Sequence, residues 1–130
     1  MMNIQARIET PTEPEERQRS HIAVSLRDRI KLVSLDDIYY FKAENKYIVI
    51  HTSDKQYLIT GTLNDLEDEL DQRFIRIHRN ALISTSYLEG LEKNQNGRWC
   101  AIFVDKEERL EISRRQTPNI RKWLKSGIKY

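Results

Sequence analysis

Between residues 21 and 113 the chain is cut into short apolar runs by polar turns, and this spacing constrains the fold more than any other feature. IAVSL (22–26) and IKLV (30–33) flank the turn RDR. IYYFKAE (38–44) and YIVIHT (47–52) flank Asn45-Lys46, and QYLIT (56–60) follows the turn SDK. SYLEGLEKN (86–94) and RWCAIFV (98–104) flank Gln95-Asn96-Gly97, whose Asn-Gly pair is the strongest short hairpin signal. RLEIS (109–113) reads as a last strand. Closely spaced short strands with polar turns predict antiparallel β structure, so the fold class is mainly β.

Two segments break this pattern. Thr62 reads as the N-cap of a helix, with Asp65 three residues on. Leu63, Leu66 and Leu70 recur at helical spacing, and acids fill the opposite face. A terminal helix buries Ile120, Trp123 and Leu124, exposes Arg121, Lys122 and Lys125, and ends at Gly127. Its start is either Ser113, boxed with Gln116, or Thr117 with Pro118 at the first position. Ser34-Leu35-Asp36-Asp37 carries a single-turn or capping signal.

With 130 residues, one domain is expected, large enough to bury a core without staples. Residues 1–20 hold two prolines, many charges and few apolar side chains; they read as a flexible lead, with the folded domain spanning 21–130. No apolar run approaches the ~20 residues of a membrane span. Cys100 is the only cysteine, which excludes an internal disulfide and a cysteine-ligated structural zinc site. It reads as a small core residue, and the compartment expected is cytoplasmic.

The formal net charge of +2 hides a segregation. Residues 61–72 carry Asp65, Glu67, Asp68, Glu69 and Asp71 without a lysine or arginine. Setting aside this segment and residues 1–20 leaves 11 acidic and 19 basic residues. Such a surface fits a polyanion, with the acidic helix turned away.

RFIRIHRNALIS (73–84) concentrates the functional question. It alternates as a strand, with Ile75 and Ile77 on one face and Phe74, Arg76 and His78 on the other. Then His78-Arg79-Asn80 interrupts, and the core-like Ala81-Leu82-Ile83 follows. Catalysis is not expected. The chain has no nucleophile elbow, phosphate loop or metal-ligand spacing, and a nuclease built on His78 lacks the carboxylates that hold magnesium. No cofactor and no metal is expected. DNA recognition by a helix face is disfavoured, because the first helix exposes acids and no helix-turn-helix partner precedes the last. Loops remain: Glu44-Asn45-Lys46-Tyr47, His78-Arg79-Asn80 and Ser113-Arg114-Arg115. Arginine can fork onto guanine and asparagine onto adenine, and a helix start points N–H groups at an anion.

The order of DIYYFKAENKYIVIHT, the leucine-spaced TLNDLEDEL, RFIRIHRNALIS and LEISRR before a closing helix resembles the LytTR DNA-binding domain of bacterial response regulators. Similarity to the alginate and virulence regulators of that family lies in NKY, RFIRIHRNAL and the SRR end. The resemblance implies an elongated arrangement of small antiparallel sheets with short flanking helices. It implies loops inserted into successive major grooves of double-stranded promoter DNA with repeated sites. The family's reading positions map to Asn45, Lys46 and Tyr47, to Arg79 and Asn80 beside His78, and to Arg115 beside Arg114. Pro118 departs from the family pattern by sitting so early in the final helix. A dimer on DNA and a monomer when free are expected, with a receiver domain and a sensor kinase acting in a two-component phosphorelay. The alternative kept open is a protein-interaction module that regulates a partner without touching DNA.

Overall fold

The computed structural model describes residues 20–126. Residues 1–19 of the expected 1–20 lead and the Gly127 helix stop lie outside the described residues. Among the described residues, ten strands and two α-helices follow the sequence runs closely. A two-stranded hairpin comes first, β1 (His21–Leu26) with β2 (Arg29–Ser34). Next come β3 (Ile38–Glu44), β4 (Tyr47–Thr52), β5 (Gln56–Ile59), α1 (Leu63–Leu70), β6 (Phe74–His78) and β7 (Ala81–Ser84). The five strands form one antiparallel sheet in the order β5-β4-β3-β7-β6. A three-stranded sheet, β10-β9-β8, is built from β8 (Leu88–Lys93), β9 (Trp99–Phe103) and β10 (Lys106–Glu111). Helix α2 (Thr117–Ser126) closes the domain.

The caps expected at the helix starts are made. Ser34 accepts the Asp36 amide over a 3-10 turn at Leu35–Asp37. Thr62 Oγ1 accepts the Asp65 amide at 3.1 Å, and Leu63, Leu66 and Leu70 are buried. At the second helix the two proposed starts divide the work. Ser113 Oγ accepts the Gln116 amide at 3.2 Å and caps a preceding turn, while the α-helix itself begins at Thr117. Pro118 therefore lies in the first helical turn, where its missing N–H has no intrahelical partner to lose.

The five-stranded sheet is buried on both faces, which explains its dense apolar composition. One face packs Phe41, Ile48, Ile50, Phe74 and Leu82 against α1 and against Ile22, Val24 and Val33 of the hairpin. The other packs Tyr39, Tyr40, Ile77 and Ile83 against Ala101, Phe103, Leu110, Ile112 and Ile120. The last strand differs from the run read in the sequence. It begins at Lys106 and ends at Glu111, because Asp105 takes a left-handed φ of 58° and folds β9 straight back on β10. Cys100 is buried on β9, and burial pushes its thiol pKa up, as befits an inert core residue.

Polar side chains tie the two larger sheets together. The Tyr40 hydroxyl donates to Glu108 at 2.5 Å, and the Tyr40 ring stacks on His51 with centroids 4.1 Å apart. Tyr39 stacks on Tyr87 at 3.9 Å, and the Tyr87 hydroxyl donates to the Asp36 carbonyl. Arg121 of α2 lies 5.3 Å from the Trp99 ring of β9.

Candidate nucleic-acid interface

RFIRIHRNALIS forms a hairpin, β6 and β7, with Arg79-Asn80 as the turn. Alternation holds from Phe74 to Ile77: Phe74 joins the α1-side cluster, and Ile75 and Ile77 join the opposite one. It then fails. Arg76 pairs with Leu82 and His78 pairs with Ala81, so β6 advances two residues while β7 advances one. This bulge interrupts the alternation between Arg76 and His78, and both residues line the hollow at this end of the sheet. Bulges of this kind re-aim side chains near functional edges. The Asn80 amide donates weakly to His78 Nδ1 at 3.4 Å, so the imidazole helps to shape the turn.

Asn45 and Lys46 form the turn between β3 and β4, where Glu44 pairs with Tyr47. Asn45 adopts φ 57°, a left-handed conformation that asparagine tolerates better than most residues. Lys42 of β3 pairs with Ala81 of β7, and the Ala43 amide donates to the Asn80 carbonyl at 2.9 Å. The Asn45-Lys46 and Arg79-Asn80 turns therefore emerge from one end of the sheet. The third break is tied to the same end. The Ser113 amide donates to the Ile77 carbonyl at 2.9 Å, which brings the approach to α2 alongside β6. His78, Arg79, Ser113, Arg115 and Gln116 line one shallow hollow with Glu67 and Arg76.

The side chains expected at the interface do not all converge. Tyr47 is exposed at the start of β4 and lines a separate hollow with Ile22, Ala23, Ser25 and Leu58. Arg114 is exposed but does not line the hollow that holds Arg115. Among the described residues, Lys46, Arg79, Arg114 and Arg115 form no ion pair with a carboxylate. Arg76, by contrast, is paired at 2.7 Å with Glu67 of α1. The acidic helix thus spends one carboxylate on an internal partner.

A mainly β scaffold that holds loop-borne cations at one end of a buried sheet is of a class suited to a polyanionic partner. Comparison with known proteins makes the assignment specific: residues 28–125 match the LytTr DNA-binding domain, and the chain belongs to that family. It is 33% identical over 107 residues to the positive alginate biosynthesis regulatory protein of Pseudomonas aeruginosa, covering 82% of this chain and 43% of that protein. It is 29% identical over 116 residues to the sensory transduction protein LytT of Bacillus subtilis, covering 85% and 48%. It is 30% identical over 112 residues to a heme-containing CO-sensing transcriptional regulator of Paraburkholderia xenovorans, covering 85% and 42%. The chain spans less than half the length of these relatives. A solved LytTr DNA-binding domain from Bacillus cereus shares the fold, with a TM-score of 0.72 and 20% identity over 82% of this chain and 97% of that one. The family is one of DNA-binding transcription regulators, not of enzymes. No helix among the described residues is long and apolar enough to cross a membrane.

Proposed function

We propose that this chain is the sequence-specific output domain of a two-component transcription regulator in the bacterial cytoplasm. It sets the turns at one end of its central sheet into successive major grooves of promoter DNA. The observation that carries this reading is the pair of backbone bonds, Ala43 to Asn80 and Ser113 to Ile77, that ties three polar breaks to one end of the sheet. Arg79 and Arg115 read bases by bidentate hydrogen bonds, with Asn45 and Asn80 as amide readers. Lys46, Arg114 and His78 hold phosphates and fix the register. Repeated sites and a dimer formed on DNA follow the family expectation, with the free domain monomeric. A receiver domain and its kinase supply the signal. Alginate biosynthesis, sensory transduction and CO sensing are named for three different relatives, so the signal is assigned to whatever lies outside the matched segment.

Selection from random duplexes, read by sequencing, tests the reading directly. A recovered motif with regular half-site spacing supports it. Arg79→Ala and Arg115→Ala should each lose ~1–3 kcal/mol on that motif and relax preference at one position. Binding by both variants equal to the parent's would overturn the site assignment.

The protein-interaction reading has one observation in its favour. Ile30 and Leu32 on β2 are 70% and 63% exposed, and Leu58 on β5 is 57% exposed. A stable protein complex without any duplex preference would favour it.

A further inference from the structure

We infer that Arg76 is a positioning residue: through Glu67 and Asn64 it anchors the Arg79-Asn80 turn to helix α1 and holds it in its reading conformation. This inference rests on the DNA-reading role of that turn.

In the sequence Arg76 is a strand residue that shares a face with Phe74, and nothing there assigns it a role. Its geometry supplies one. Nε donates to the His78 carbonyl at 2.8 Å, and Nη2 donates to the Arg79 carbonyl at 2.5 Å. Nη1 donates to Asn64 Oδ1 at 3.0 Å and to Glu67 Oε1 at 2.7 Å. Every guanidinium nitrogen is engaged inside the protein, and the side chain is only 15% exposed. A guanidinium so occupied cannot also present the free fork that grips a guanine.

The arrangement is suited to holding a turn. Two of the bonds reach consecutive backbone carbonyls of the bend itself, and the other two reach side chains on α1. The planar fork fixes all of these directions at once, which a lysine cannot do. Leu63, Leu66 and Leu70 bury α1 against the sheet, so the anchor point is itself held by the core. Glu67 then has a role opposite to that expected of an acid near DNA. Its negative charge repels phosphate, yet it supports the turn by orienting Arg76.

This reversal of sign gives the test. Arg76→Lys keeps the charge and loses the fork, and Glu67→Ala removes a surface carboxylate that has no part in the core. In the free protein, amide hydrogen exchange by NMR should speed up about tenfold or more at Arg79 and Asn80 in Arg76→Lys. Amides of β4 serve as the control and should not change. On the duplex recovered by selection, both variants should bind roughly tenfold more weakly, while a scrambled duplex is bound within about twofold of the parent. Unchanged exchange at Asn80 in both variants overturns the inference. So does a loss equal on both duplexes, which marks Arg76 as a phosphate contact, or tighter binding of both duplexes by Glu67→Ala, which marks Glu67 as simple repulsion. If the parent distinguishes no duplexes, the proposed function fails, and the exchange data alone decide the role of Arg76.

Discussion

The backbone amide of Ala43, near the end of β3, donates to the carbonyl of Asn80 at 2.9 Å and ties the Arg79-Asn80 turn beside the Asn45-Lys46 turn. Asn80 is thus held by its main chain, and the neighbouring Arg79 side chain is left free. The same division applies across the strand pair, where the main chain of Asn45 sets the turn and its amide side chain faces solvent.

Asn45→Gly should separate those two roles. Glycine accepts the left-handed φ of 57° without strain, so thermal unfolding should stay within about 0.5 kcal/mol of the parent. Asn45→Val forces a β-branched residue into that conformation and should cost ~1–2 kcal/mol. Weaker binding of the selected duplex by the folded glycine variant would then report the lost amide alone, measured by fluorescence anisotropy.

Lys46 is expected to act through charge. Lys46→Ala should weaken binding to any duplex by a similar factor and reduce the slope of log K against log salt by about one. A titration series between low and moderate salt checks both. A loss confined to the selected sequence would instead make Lys46 a base reader.

The His51 ring should make stability depend on pH. Burial lowers its pKa from the ordinary histidine value, against a smaller raising effect of Glu108 and Glu44. Its Nε2 is buried without a hydrogen-bond partner. The unfolded chain takes up the proton more readily than the folded one. The stabilising contribution is therefore complete above the unfolded pKa near ~6.5 and declines as pH falls through that value toward the lower folded pKa. Urea unfolding at pH 7.5 and pH 5 should show this decline, and His51→Phe should flatten it while keeping a ring against Tyr40. An equal decline in the variant would assign the effect to other groups.

Phe41 is fully buried on β3, stacked obliquely on Phe74 with centroids 5.1 Å apart. Phe41→Ala should cost about 3–5 kcal/mol in chemical denaturation. Arg79→Ala, on the exposed turn, should stay within about 0.5 kcal/mol of the parent. This contrast shows, without any DNA present, that Phe41 belongs to the scaffold and Arg79 does not.

Much of the fold was legible because short runs and turn residues carry local information. The hairpin at Asn96-Gly97, the cap at Thr62 and the leucine spacing of α1 all form as read. What failed was local in appearance and long-range in cause. The bulge at Ile77 depends on how β7 registers against β6, and period-two alternation cannot show an inserted residue. Strand β10 starts three residues before the run RLEIS: Lys106 to Glu108 are polar, and they join the strand through the pairing of Lys106 with Phe103, a bulge before Arg109 and the Tyr40 bond to Glu108. At the candidate site, the polar breaks were visible as interruptions, but their common end was not, because it arises from β3 lying beside β7. The role of Arg76 left no mark in the sequence: an arginine in an alternating strand looks the same whether its partners are water, phosphate or the backbone of its own turn.

The doubly buried sheet has an evolutionary consequence. Because its packing is complete without Lys46, Arg79 or Arg115, a change of letter at any of them opens no cavity and strands no apolar neighbour. If the proposed reading residues are these, new promoters come within reach of single substitutions at the sheet's end, each tried at almost no risk to folding. A duplicated gene could rewire a regulon in this way while its scaffold stayed unchanged.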